Sequence, residues 1–248
     1  MAEKSGTCKI GERIYTILDS GNPSDVTVSS VAGKVEGKIK LKGIKNVDFE
    51  AVACDPETKT IWVGDIGDNE EERTDIALYK IVGQEGPGEV TPEKISLRFF
   101  DGRSRNAEGL SFGNGGLWLS TKDWEQGQRL FKISGNTIGP EEIALRGVPP
   151  VGDLSIHPRN DSFLLAIDES NEFQWCRFGG VCEKIETPYA GDHESVTWVT
   201  EQCFIFFSED ESEIYQACWE AVEAPPEVPG EPQQTGRYIP APGTSFII

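Results

Sequence analysis

Short apolar runs rich in β-branched and aromatic residues recur along the whole chain, each closed by turn residues. FEAVAC gives way to the polar turn DPETKT, then come TIWVGDI, IALYKIV and KISLRFF. The same order returns as EGLSF, GGLWLST, RLFKIS and EEIALRG, and again as DLSIH, SFLLAID, FQWCRF and VCEKIET. SGTCKI, RIYTILD, DVTVSSV and GKIKLKG precede these units, and ESVTWV, CFIFFS and EIYQACW follow them. Such segments are antiparallel strands, and Gly, Pro, Asn and Asp between them make the turns. No segment holds a 3.6-residue apolar period over three turns, so helices are not expected.

An acidic residue opens the first strand of every unit: Glu3, Glu50, Glu108, Asp153 and Glu194. A second acid closes the next strand: Asp19, Asp65, Asp123, Asp168 and Glu209. Closer minus opener is 16 in the first unit (19 − 3) and 15 in the other four. The openers stand 47, 58, 45 and 41 residues apart, the period of a propeller blade. The pattern therefore predicts an all-β, five-bladed β-propeller of four-stranded antiparallel blades over residues 1–220, with six blades as the alternative. Residues 221–248 carry prolines at 225, 226, 229, 232, 240 and 242 and read as a Pro-rich segment. Its end, TSFII, is expected to dock as the missing outer strand of the last blade.

Composition narrows the chemistry. The net charge of −19 repels phosphate backbones, which argues against nucleic-acid binding, and favours cations and basic partners. No apolar stretch reaches the roughly 18 residues that span a bilayer. The start, MAEKSGTCKIGE, lacks an apolar signal core, which fits a mature secreted chain or a cytosolic one. Six cysteines fall into three plausible pairs: Cys8 with Cys54 in adjacent units, Cys176 with Cys182 across RFGGV, and Cys203 with Cys218 across SEDES. Disulfides would mean an oxidising, extracellular compartment, whereas six buried thiols would leave a cytoplasmic protein open. A monomer is expected.

The openers and closers lie at the same end of each inner hairpin, so a propeller gathers them on one face around the channel. Carboxylates so close together need a cation or Lys and Arg partners. Calcium takes six to eight oxygens, and Glu50, Glu108, Asp153 and Glu194 with the Asn106 amide are the expected ligands. Glu3, Asp19, Asp68, Lys122, Asp168 and Glu209 would complete the binding face. Lys4, Lys122 and Arg105 could instead neutralise the acids without metal. His193, beside Glu194, and Asp65 are the candidates for moving protons, although His193 could as well bond a neighbouring carboxylate. His157 reads as a surface turn residue. Trp62 and Trp118 read as core.

EKSG (3–6), LDSG (18–21), DFEAVA (48–53), DIGDN (65–69), NAEGL (106–110), STK (120–122) and SED (208–210) together resemble a family of often secreted bacterial β-propellers, most of them uncharacterised. Those carry ESG, NDSG, DWEDIA, DIGDN and AEAL. Leu18, Phe49 and Ala51 depart from that pattern, and Ala51 removes one possible ligand. More distantly the chain is similar to the calcium-dependent propellers of the gluconolactonase, paraoxonase, diisopropylfluorophosphatase and phytase type. That resemblance implies calcium at one channel mouth and hydrolysis of esters, lactones or phosphoesters. The alternative is a non-enzymatic propeller that recognises a basic peptide, a glycan or a small cationic ligand on its acidic face. No nucleophile elbow or HExxH motif is present to decide for an enzyme.

Overall fold

Blade one is β1 (Lys4–Ile10), β2 (Arg13–Leu18), β3 (Asp25–Ser30) and β4 (Val35–Leu41). Blade two follows with β5 (Phe49–Asp55), β6 (Thr60–Asp65) and β7 (Ala77–Val82). Three short strands come next: β8 (Gly88–Val90), β9 (Glu93–Ser96) and β10 (Arg98–Phe99). Blade three is β11 (Ala107–Gly113), β12 (Gly116–Thr121), β13 (Arg129–Ser134) and β14 (Thr137–Ala144). Blade four is β15 (Val151–Ile156), β16 (Ser162–Ile167), β17 (Glu172–Arg177) and β18 (Cys182–Glu186). Blade five is β19 (His193–Trp198), β20 (Cys203–Ser208) and β21 (Glu213–Glu220), against which β22 (Ile239–Ala241) and β23 (Ser245–Ile247) both pair. These elements come from a computed structural model that describes residues 4–125, 127–179, 181–187, 192–208, 213–220, 239–241 and 245–247. Glu3, Glu209 and most of 221–248 fall outside the described residues. The chain is an all-β, five-bladed propeller, and no helix occurs among the described residues.

KISLRFF is not one strand of blade two. Ser96 ends β9 in blade two, and Arg98–Phe99 cross over to pair in parallel with β14 of blade three. The segment before it reaches the other way, with β8 running parallel to β4 of blade one. The linker of blade two thus stitches three sheets together and covers the outer edges of its two neighbours.

The inner strands close a ring, β1 against β5, β5 against β11, β11 against β15, β15 against β19, and β19 back against β1. Small residues make this approach possible. A Cβ on Gly6 would lie 2.8 Å from the Val52 nitrogen, and one on Gly109 would lie 2.8 Å from the Leu154 nitrogen. Hydroxyls tie the same strands together: Ser111 Oγ accepts from Ile156 N (2.9 Å), and Ser155 Oγ accepts from Trp198 N (3.1 Å). Between blades the core is apolar and aromatic, with Trp62 and Trp118 buried as expected.

All three cysteine pairs are disulfides. Cys176–Cys182 and Cys203–Cys218 bridge paired residues inside blades four and five, whereas Cys8–Cys54 joins the inner strands of blades one and two. Three disulfides point to an oxidising environment. Among the described residues no helix is long and apolar enough to cross a membrane. Cys8–Cys54 closes a loop with a sequence separation of 46 residues, for which chain entropy gives a stabilisation on the order of 4 kcal/mol. The Cys8→Ala/Cys54→Ala variant is therefore expected to lose several kcal/mol in denaturant unfolding. Removing Cys176–Cys182, which closes a separation of only 6 residues, should cost less.

Candidate metal centre

Each inner hairpin slips its register by one residue at the same end of the channel. The slipped residues are Ser5, Glu50, Glu108, Gly152 and Glu194. Such bulges re-aim a side chain out of the pleat. They define which positions are equivalent from blade to blade, and the five openers of the sequence are not all equivalent. Ser5, not Glu3, matches Glu50, and Gly152, not Asp153, matches Glu194.

In that frame each of the four gaps from blade one to blade five brings three described positions together: the residue after the second strand of one blade, and in the next blade the bulge and the residue two before it. Between blades one and two these are Asp19, Asp48 and Glu50. Between blades four and five they are Asp168, Asp192 and Glu194. In each triad one oxygen per carboxylate lies within 4.8 Å of the others. Oxygens on opposite sides of a calcium ion, at about 2.4 Å each, are roughly 4.8 Å apart, so both triads fit a hard divalent cation. The gap between blades two and three offers Ile66, Asn106 and Glu108. The next one offers Lys122, Pro150 and Gly152.

Lys122 fills the side that lacks acids. Its Nζ lies 2.9 Å from Asp168 and 3.6 Å from Glu108. Burial pulls its pKa down, but Glu108 and Asp168 outweigh this and hold it above the ordinary lysine value. Lys4 turns its ammonium over the Phe207 ring, 4.7 Å from the centroid, and burial lowers its pKa. Arg105 is directed away, into a bidentate pair with Asp101 at 2.9 and 2.6 Å.

Glu50 and Glu108 are nearly inaccessible and bonded to one another. Ser5 Oγ donates to Glu50 at 2.8 Å, and Asn106 Nδ2 donates to Glu108 at 2.9 Å. Burial, then the neighbouring Glu108, raises the pKa of Glu50, and burial likewise raises Glu108 against the pull of Lys122. Burial, with Asp168 next, pushes Glu194 up to about 9. Burial and Asp19 lift Asp48 to about 6. Glu50, Glu108, Glu194, Lys4 and Lys122 together face a cavity of about 120 Å³ at the mouth.

The DIGDN loop seals the first triad. Ile66 N and Gly67 N donate to Asp48 O. A side chain on Gly67 would run into the carboxylates of Asp48 and Glu50. Asp68 accepts from the backbone of Glu72 and Arg73, both at 2.9 Å, which makes it a turn residue of the loop and not a member of the mouth.

Four expected site residues sit elsewhere or are already engaged. Asp153 is 1% exposed and accepts from Leu154 N (2.7 Å) and Val196 N (2.9 Å), between blades four and five. One residue past the bulge, it occupies the place of Gly6 and Gly109, and bonds the backbone amide that those glycines merely approach. Asn106 spends its amide oxygen on Asp68 N (2.8 Å), so it orients Glu108 instead of offering a ligand. Asp65 is paired with Arg73 at 2.8 Å and accepts from Asp48 N. His193 is fully buried, stacked on Phe173 and bonded through Nε2 to Thr187 Oγ1 (3.2 Å), and burial lowers its pKa to about 4. It is a neutral core histidine without access to the mouth. Asp48, Asp192 and Asp168 were the stronger signal: two acids in D-x-E spacing plus the closer one blade back.

A larger cavity, about 350 Å³, opens at the opposite end of the channel. Its Asp55 and His157 side chains are engaged in turns. Asp55 bonds Glu57 N and Thr58, and His157 Nδ1 accepts from Arg159 N and Asn160 N while Nε2 bonds Glu201 O. His157 is thus a turn residue, but a buried one.

No protein-family model matches the chain, and no curated protein sequence is similar to it. Solved structures share the fold at low identity. A chain of the nidogen/laminin complex is 14% identical, covers 87% of this chain and 76% of its own, and has a TM-score of 0.54. U3-55K is 12% identical over 87% of this chain with a TM-score of 0.49, and this chain spans 61% of its length. The WD40 propeller domain of Doa1 is 15% identical over 88% of this chain and 65% of its own, with a TM-score of 0.44. The likeness is one of fold alone.

Two outcomes test this geometry. Asp153→Ala should destabilise by about 1–3 kcal/mol for each backbone amide left without an acceptor, and leave calcium titrations unchanged. Glu194, with its folded pKa at about 9 against an ordinary 4.5, binds its proton more tightly in the native state. Its contribution to stability is therefore complete below pH 4.5 and fades as pH rises to about 9. In chelator, Tm should fall across that window, and the fall should be shallower in Glu194→Gln, followed by circular dichroism.

Proposed function

We propose that this is a calcium-associated propeller whose ion is held by Asp19, Asp48 and Glu50, with Asp168, Asp192 and Glu194 as a second position. The observation that carries the reading is the repetition of one all-oxygen triad at two equivalent gaps in the ring. Hard oxygen donors suit calcium rather than zinc, which prefers nitrogen and sulfur. The glycine at 67 leaves the carboxylates of the first triad unobstructed. An oxidising, calcium-rich compartment would permit affinity as weak as about 10⁻⁴–10⁻³ M.

The mouth then presents an ion-bearing acidic face to a small-molecule or cationic ligand. In this reading the ligand is bound rather than turned over, because His193 and Asp65 are committed elsewhere. A hydrolase of esters, lactones or phosphoesters is the second reading, and one feature favours it. With calcium in the first triad alone, burial favours the protonated form of Glu194 beside Lys122, and it can then act as a general acid at the mouth. Calcium would there polarise the substrate oxygen. The resemblance to uncharacterised secreted bacterial propellers and to calcium-dependent hydrolases agrees with either reading.

Calorimetric titration of calcium into chelator-treated protein decides the metal. Binding should lose one class of site in Asp48→Asn/Glu50→Gln and the other in Asp168→Asn/Glu194→Gln. Wild-type stoichiometry and affinity in both variants would sink the proposal. Chelator-sensitive cleavage of p-nitrophenyl esters, lactones or phosphoesters would select the hydrolase.

A further inference from the structure

Four of the chain's ten arginines line one cleft between blades two and three: Arg73, Arg98, Arg103 and Arg105. In a chain of net charge −19, arginines should be taken up singly by nearby acids. Arg13, Arg129 and Arg159 are, each on a glutamate. In the cleft only two are. Arg73 is fixed by Asp65, Asp75 and Gly67 O. Arg105 is fixed by Asp101 and lies against the Phe99 ring, 4.8 Å from its centroid. Arg98 makes no ion pair among the described residues. Arg103 comes only to 3.9 Å of Asp101, an acid already bidentate with Arg105, and is 72% exposed.

The cleft encloses about 130 Å³ over a floor of Ile76, Leu97 and Phe99. Buried apolar groups below and held guanidiniums at the side make a polar contact there stronger than one in open water. Of the five N–H groups on each guanidinium, Arg73 and Arg105 use only some on their carboxylates. Ser104 Oγ, which donates to Arg73 O at 3.0 Å, sits at the same rim. Two held guanidiniums and two uncommitted ones stand around a small hollow that Asp68, its carboxylate already bonded to Glu72 N and Arg73 N, also lines; planar, forked N–H donors suit tetrahedral oxyanions.

We propose that this cleft binds a tetrahedral oxyanion group, a phosphate or sulfate monoester. Arg98 and Arg103 close on it, and Arg73 and Arg105 form the fixed wall. The site is separate from the carboxylate mouth and needs no metal. β10 matters to it directly: Arg98 reaches the cleft because residues 98–99 leave blade two for blade three.

The test is titration of inorganic phosphate and of sulfate, in chelator, followed by phosphorus NMR and by calorimetry. Wild type should bind one equivalent saturably. Arg98→Gln/Arg103→Gln should weaken binding at least tenfold with an unchanged circular dichroism melt. Arg13→Gln/Arg159→Gln, which removes the same charge elsewhere, should bind as wild type. Phosphoserine and a monosaccharide sulfate then serve as probes of the two sources, and the tighter one identifies which ester the cleft takes. Absence of saturable binding to any of the four probes, or equal loss in both double variants, would overturn the proposal. Because calcium is removed throughout, neither result bears on the metal centre.

Discussion

The slip of register at the top of every inner strand is the constraint from which the site follows. An inner strand without it would alternate its side chains strictly between the two flanking blades. The bulge interrupts that alternation once per blade, at one height, and turns one side chain toward the channel. The residue after the bulge must then be small or hydrogen-bonding, because the backbone of the next blade passes close by: Gly6, Ala51, Gly109, Asp153 and Ser195 hold that place. Closure of the ring, the disulfide between Cys8 and Cys54, and the convergence of Glu50, Glu108 and Glu194 are consequences of the same packing.

Gathering carboxylates at a half-buried mouth is unfavourable, and the chain offsets the cost locally. Lys122 neutralises one sector, Ser5 and Asn106 donate to Glu50 and Glu108, and burial raises the pKa of Glu50 and of Glu194, which favours their protonated forms. Elsewhere some of the same residue types serve structure. Asp65 and Arg73 lock the DIGDN loop, and Asp153 staples two blades. The first triad, Asp19, Asp48 and Glu50, has no Lys or Arg within ion-pair distance among the described residues, whereas Asp168 of the second is paired with Lys122 at 2.9 Å.

Much of the fold was legible in the sequence, because blade number, strand order and cysteine pairing all depend on spacing. A fixed offset of 15 residues between two acids is enough to align antiparallel hairpins, and cysteines placed opposite one another in those hairpins pair. The site was legible only in part, because spacing does not reveal which residue a bulge displaces. Asp153 satisfies the offset yet stands one residue away from Gly152, the true counterpart of Glu194. His193 adjoins Glu194 in sequence but faces Phe173 and Phe206, because neighbours on a strand point to opposite sides. The crossing of β8 and β10 into neighbouring sheets carries no local signal, since short parallel pairs at an edge use the same residue types as a continuing strand.

The unequal sectors of the mouth bear on what it can hold. Five identical gaps would bind five ions, or surround one so fully that no position remained for a ligand. Here Ile66 and Lys122 interrupt the acids, and two complete triads among the described residues flank the sector of Glu108 and Lys122. Were both triads filled as proposed, a ligand's oxygens entering there would face a cation on each side and the Lys122 ammonium between them. The ligand would be bound by charge and position, with little apolar contact, since every group facing that small cavity is polar. Selection at such a mouth would act on the number and placement of a ligand's oxygens more than on its shape.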